Sequence, residues 1–270
     1  MTFVIDIIAG ARPNFMKIAP ILRVMAERTR LGGQLSPRLV HTGQHYDARM
    51  SGDLFAQLGI AEPDVNLQVG SETQAEQTGA IMIGTLLHSM DRLRPPSFWS
   101  ELKLRAQQYF VLTMHRPANV DDPAGLARLL RAIGTATRGL PVIFPAHPRT
   151  VKALQAIADK PGNLHVVEAQ PYLEFNYLVQ HAKAVITDSG GITEETTVRG
   201  VPCLTLRNNT ERPETVTLGT NELLGTDPAA LQPALDRVFA GAWKTGTIPE
   251  KWDGKAAERI VAALERLVTA

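Results

Sequence analysis

Short apolar runs alternate with longer amphipathic stretches along most of the chain. Phe3 to Ala9 (FVIDIIA) reads as a strand, and Gly10-Ala11-Arg12-Pro13 as the turn after it. From Asn14 to Thr29, the apolar residues Phe15, Ile18, Ile21, Leu22 and Met25 recur at helical spacing. Pro20 falls inside that pattern and is expected to start or kink the helix there. Leu39 to Thr42 is a second predicted strand, and Met50 to Leu58 a further helix closed by Gly59. Beyond residue 100 the alternation is clearer. Strands are predicted at Tyr109–Met114, Val142–Pro145, His165–Val167, Ala184–Thr187 and Val201–Leu206. Helices are predicted at Pro123–Arg138, Arg149–Ala158, Tyr172–Gln180, Ile192–Arg199, Pro228–Phe239 and Lys255–Val268. Asp121-Asp122-Pro123 supplies acids and a first-turn proline where a helix start favours them. Such alternation predicts α/β architecture, with parallel sheets doubly wound by helices.

Arg92-Leu93-Arg94-Pro95-Pro96-Ser97 is the best linker, because two prolines prevent regular structure there. Ahead of it the pattern offers two convincing strands, whereas a doubly wound domain normally needs more. Two strands with their helices would leave a sheet edge and part of a face uncovered.

Composition narrows the class of function. The chain has 270 residues, 44% hydrophobic and 20% charged, which is the balance of a globular protein. Lys plus Arg number 28 and Asp plus Glu 27, so no whole-molecule field favours nucleic acid or an acidic membrane surface. A single cysteine, Cys203, excludes an internal disulfide and a cysteine-based zinc cluster. No apolar run approaches a membrane span, and Met1-Thr2-Phe3-Val4-Ile5-Asp6 does not read as a signal peptide. The expectation is a cytoplasmic protein that binds neither nucleic acid nor membrane.

The strongest chemical signal is Ala184-Val185-Ile186-Thr187 followed by Asp188-Ser189-Gly190-Gly191-Ile192-Thr193-Glu194-Glu195. A buried strand runs into two glycines and then opens a helix. Glycines let a ligand approach the backbone, and the free N–H groups with the helix dipole make an anion site. Ser189 adds a hydroxyl, and Glu195 stands one turn on, where a carboxylate could accept both hydroxyls of a ribose. The same pattern also describes a tight turn with acids merely placed on the positive end of a helix. Arg207 to Glu214 (RNNTERPE) follows the next strand, and Thr210, Arg212 and Glu214 could reach a ligand there or simply form a capped surface loop. Arg12 and Lys17 flank the first helix as candidate partners of a diphosphate or as solvated charges. His115-Arg116-Pro117 and His147-Pro148 end strands, at the side of an α/β sheet where active sites gather. Histidine spacing gives no metal site.

Together these motifs resemble the non-hydrolysing UDP-N-acetylglucosamine 2-epimerase family. The matching stretches are GARPNFMKIAPIL (10–22), TGQHYD (42–47), TMHRPANV (113–120), PAHPR (145–149), DSGGITEE (188–195) and GVPCLTLRNNTERPE (200–214). The resemblance implies two Rossmann-like lobes like those of GT-B glycosyltransferases. Residues 1–94 would form a truncated N-terminal lobe, 95–252 the UDP-binding lobe, and 253–270 a helix returning to the first. Ser189, Gly190 and Gly191 would hold the diphosphate, Glu195 the ribose, and Phe175 would pack by the uracil. Arg12, Lys17 and Arg212 would supply positive charge, and His115 matches the family's active-site histidine. Gln44, Arg116 and His147 match positions associated with a second, activating UDP-sugar, although Asp47 and Ala118 replace residues common in the regulated subgroup. A glycosyltransferase of GT-B type is the competing enzyme class, against which the TERPE loop and the early GARPxxxK turn argue.

The family reaction implied uses no NAD and no metal. A base removes the C2 proton of UDP-GlcNAc while UDP leaves C1; the glycal then takes UDP and a proton back on the other face, giving UDP-ManNAc. The resemblance further implies a homodimer and a place in cell-surface polysaccharide biosynthesis. The family's Gly-Asp strand end, its His-Val-Glu-Ala-Gly segment and its Pro-Glu-Glu-x-x-Arg segment, which carry the essential carboxylates, are absent. Between Ile83-Gly84 and Thr85-Leu86 the sequence passes from the family's first-lobe helix to its interdomain region, so an internal deletion is inferred at Gly84/Thr85. A UDP-binding remnant without turnover is therefore the alternative to an active epimerase.

Overall fold

The computed structural model describes residues 2–10, 12–41, 55–61, 63–66, 81–146, 148–155, 157 and 159–269. Contacts divide the chain into two units: Met1–Arg92 with Pro171–Leu173 and Glu250–Ala270, and Leu93–Gln170 with Glu174–Pro249. The break at Arg92/Leu93 falls in the proline-bearing linker.

Unit 1 is built on a parallel sheet in the order β1-β2-β3, from β1 (Phe3–Ala9), β2 (Leu35–His41) and the two-residue β3 (Val65–Asn66). The sequence pattern missed β3. Among the described residues β1 is hydrogen-bonded on one side only, and Val4 and Ile8 on its outer face are 59% and 65% exposed. Helix α1 (Arg12–Arg30) runs through Pro20, so the helix does not start there. Proline has no N–H to give to the carbonyl four residues back, which is that of Met16. The Thr85 hydroxyl, on α2 (Ile81–Ser89), donates to that same Met16 carbonyl and satisfies it from outside the helix. Beside it, a side chain on Gly84 would meet the Gly254 carbonyl at 2.9 Å and Pro20 Cβ at 3.3 Å. The Gly84–Thr85 pair thus lies within one unbroken helix whose packing on α1 uses both residues. Residues 55–58 are helical and end at Gly59 with φ +65°, where the Ile60 N–H returns to the Phe55 carbonyl.

Unit 2 holds a six-stranded, all-parallel sheet. Its strands are β4 (Phe110–Thr113), β5 (Val142–Ala146), β6 (Leu164–Glu168), β7 (Ala184–Thr187), β8 (Cys203–Thr205) and β9 (Asn221–Leu223), in the order β6-β5-β4-β7-β8-β9. Counted within the unit, that is the doubly wound order 3-2-1-4-5-6, with its topological switch between β4 and β7. Short helix α3 (Pro117–Val120) follows β4, then α4 (Pro123–Ala136), α5 (Pro148–Gln155), α6 (Tyr172–His181), α7 (Gly190–Arg199), α8 (Pro213–Thr217) and α9 (Leu231–Phe239). Alternate residues of each strand serve opposite faces. Phe110, Leu112, Phe144 and Ile186 pack with Leu126, Leu130 and Leu235 of α4 and α9, while Tyr109, Val111, Ile143 and Val185 pack with Leu178 and Val179 of α6. The Asp122 carboxylate caps α4 by accepting from the Ala124 and Gly125 N–H groups, both at 3.0 Å, and Pro123 opens the helix. The chain then returns to unit 1, where α10 (Ala256–Thr269) packs against α1. Among the described residues no helix is long and apolar enough to cross a membrane.

Candidate functional site

The switch point puts the carboxyl ends of β4 and β7 side by side, with Thr113 in register with Thr187. Their hydroxyls meet at 2.6 Å, and Thr187 Oγ1 accepts the Ser189 N–H at 2.9 Å. Asp188 follows β7 and is completely buried. Its carboxylate accepts from His115 N–H (3.1 Å), Arg116 N–H (2.9 Å) and Asn119 Nδ2 (3.0 Å), and stands 3.0 Å from His115 Nδ1. Arg116 Nε in turn donates to the Asp188 carbonyl at 3.0 Å. Burial alone would push this carboxyl's pKa up, but the hydrogen bond and charge of His115, with the Arg116 N–H and Asn119, outweigh it and hold it below the usual range. With its Nδ1 on Asp188, His115 keeps Nε2 to meet a ligand, and its side chain is 57% exposed.

Ser189 has extended backbone and begins α7 without a side-chain cap, in contrast to Asp122 on α4. The N–H groups of Gly191 and Ile192, the counterparts of Ala124 and Gly125 in α4, therefore lack the side-chain acceptor that α4 possesses. The helix closes at Gly200, in the left-handed region with φ +68°. Glu194 and Glu195 are each 3% exposed. Arg212, expected as a positive charge for a diphosphate, is bound to Glu194, with Nε 2.9 Å from Oε1. Phe175 lies on α6, half-buried against the cluster of Tyr109, Val111 and Val185.

Two further residues complete the crevice, and neither was singled out in the sequence. Arg207 follows β8, is 6% exposed, and grips Glu211 with both terminal nitrogens (Nη1 at 3.0 Å, Nη2 at 2.6 Å) and Asn209 Oδ1 at 3.0 Å. The hydrogen bond from Arg207, against a smaller effect of burial, holds Glu211 down to about 2. Arg116 Nη2 stands 3.8 Å from the same carboxylate.

The structure thus gathers His115, Arg116, Ser189 and Gly190 around Asp188, and joins Arg212 to α7. Lys17, half-buried on α1, and Arg12, the first residue of that helix, belong to unit 1. Gln44 and His147 lie outside the described residues, as does Asp47. Among the described residues no group of three or more His, Cys, Asp or Glu is arranged to hold a metal ion.

A family model described as UDP-N-acetylglucosamine 2-epimerase matches residues 29–96 and 76–265. The chain belongs to this family. Its members are isomerases, and the two matches overlap around the Gly84/Thr85 junction. The UDP-N-acetylglucosamine 2-epimerase of Methanocaldococcus jannaschii is 28% identical over 368 aligned residues, covering 96% of this chain and 98% of that protein. Since the whole chain has 270 residues, the extra aligned positions of that relative are internal, as a deletion requires. The UDP-2,3-diacetamido-2,3-dideoxy-D-glucuronate 2-epimerase of Pseudomonas aeruginosa is 28% identical, with 81% of this chain and 87% of that one covered. Among solved structures, the M. jannaschii UDP-GlcNAc 2-epimerase in complex with UDP-GlcNAc and UDP superimposes with a TM-score of 0.74 at 24% identity, covering 98% of this chain and 100% of that one. The Neisseria meningitidis UDP-GlcNAc 2-epimerase bound to UDP-GlcNAc gives 0.79 at 17% identity, with the same coverage. The fold class is accordingly α/β, GT-B-like, with two Rossmann-like units in a chain shorter than its relatives.

Proposed function

We propose that the crevice between β4 and β7 binds the UDP end of a UDP-sugar, UDP-GlcNAc in the family reaction, and that this chain turns it over far more slowly than its longer relatives. The uncapped, glycine-opened start of α7 at the topological switch carries the reading. The diphosphate lies on Ser189, Gly190 and Gly191, where backbone N–H groups and the helix dipole meet negative charge. Glu195 accepts from the ribose hydroxyls and Phe175 packs by the uracil. The relatives named above differ in the sugar they act on and share UDP, which supports assigning the common crevice to the nucleotide.

In the epimerisation, the C2 proton passes to a base as the C1–O bond to UDP breaks and its electrons leave with UDP. The C2–H electrons form the C1=C2 bond of a glycal. UDP re-adds at C1 and a proton returns to the opposite face of C2. His115 Nε2 is the group on the leaving-phosphate side, held by Asp188. Exchange of the C2 proton needs a base on one face and an acid on the other, usually carboxylates of raised pKa, and the carboxylates described here suit that task poorly. Asp188 and Glu211 are held low, and Glu194 is bound to Arg212. The segments that carry the family's own acid/base carboxylates are absent from the sequence. Losing one positioned acid/base group costs about 10²–10⁴ in rate. Incubation with UDP-GlcNAc in deuterated water should accordingly put deuterium at C2 at least about 100-fold more slowly than the M. jannaschii enzyme does. Exchange at a matching rate would mean that another carboxylate has taken over, and would overturn the slow-turnover part of the reading.

A further inference from the structure

Glu211 occupies the place where the nucleotide's negative charge is expected. A methyl group on Gly190 would lie 3.4 Å from Glu211 Oε2 and 3.8 Å from Arg207 Nη1, so carboxylate and guanidinium both border the start of α7. Arg207 is buried and holds Glu211 with two hydrogen bonds, while Arg116 faces it from the end of β4. Two arginines and a helix N-terminus converge on one anion, and that anion is a loop side chain, itself 57% exposed. An acid embedded in the core would be a fixed part of the fold. This one sits between β8 and α8, where a shift of side-chain rotamer frees it.

We propose that Glu211 is an internal competitor for the nucleotide site: a carboxylate that a diphosphate displaces from Arg207 and Arg116, and that a ligand without phosphate leaves in place. The inference rests on the nucleotide reading above. Exchange of a single carboxylate charge for a diphosphate leaves both guanidiniums neutralised and returns Glu211 to water. A nucleoside alone offers the arginines nothing in return, and so leaves the internal pair closed. Every phosphate ligand of the site carries the cost of opening it, so the carboxylate lowers the affinity for UDP and leaves that for a nucleoside untouched.

The test is calorimetric titration of the full chain and of Glu211→Gln with UDP, inorganic pyrophosphate and uridine. Glutamine keeps the size and removes the competing charge. The variant should bind UDP and pyrophosphate about tenfold more tightly, about 1.4 kcal/mol, with uridine unchanged. Glu211→Ala should show the same gain, which separates lost competition from any new contact made by glutamine. If the full chain binds UDP and both variants bind it equally or more weakly, Glu211 serves to hold Arg207 in place and the proposal fails alone. If neither the chain nor the variants bind UDP, this inference and the nucleotide reading fail together.

Discussion

Gly190→Val should abolish measurable UDP binding while unit 2 stays folded. Gly190 is the first residue of α7, and a Cβ there meets Glu211 Oε2 at an ordinary contact distance of 3.4 Å. The first carbon therefore fits. The two methyls beyond it enter the space where a phosphate would approach the first-turn N–H groups. Hydrogen bonds to charged groups contribute roughly 1.5–3 kcal/mol each, so blocking two of them costs roughly 3 kcal/mol or more, above 100-fold in affinity. Titration calorimetry reads the loss, and an unchanged far-ultraviolet dichroism melt shows that the unit survives. A folded variant with unaltered UDP affinity would remove the diphosphate from α7.

Asp188→Ala should cost unit 2 about 3 kcal/mol of stability, a large effect for a change of one side chain. Asp188 is fully buried, and its removal takes the acceptor from the His115 and Arg116 N–H groups and leaves Asn119 Nδ2 with the Leu206 carbonyl alone, besides releasing the His115 ring. Each buried donor left without an acceptor costs roughly 1–3 kcal/mol. The native carboxyl has a lowered pKa, so its contribution is present above the unfolded-state value near pH 4 and is lost as pH falls through the lowered native value. Urea denaturation at neutral pH measures it. A midpoint change equivalent to less than about 0.5 kcal/mol would place Asp188 among ordinary surface substitutions.

These two residues also mark how far the sequence could be read. β7 was legible to the residue, because four apolar or β-branched positions run between Lys183 and the Asp-Ser-Gly-Gly turn. The start of α7 was legible for the same local reason, as two glycines opening a helix. Asp188 was not, since beside a helix start it looks like any acid placed on a positive dipole. Its burial and its donors come from the β4 end, more than 70 residues earlier. The Arg207–Glu211 pair was equally hidden. Its partners are four residues apart but lie in a loop, where no periodicity announces that they meet. Pro20 misled for the opposite reason: the local rule is sound, and a distant Thr85 hydroxyl supplies the partner that the orphaned Met16 carbonyl needs. β9 escaped because Asn221-Glu222-Leu223 has no apolar pattern of its own, and pairing with β8 makes it a strand. The shortage of strands ahead of Pro95 was legible by counting, and β1, hydrogen-bonded to β2 alone among the described residues, is its structural counterpart.

Binding of UDP in the β4–β7 crevice of unit 2 can be followed residue by residue. Amide chemical shifts recorded on the isotopically labelled chain during a UDP titration address it directly. The largest saturable shifts should fall on Ser189, Gly190, Gly191 and Ile192, with His115 and Arg116 following at the same midpoint. Saturable shifts confined to residues away from both strand ends, or no saturable shift at all, would contradict it.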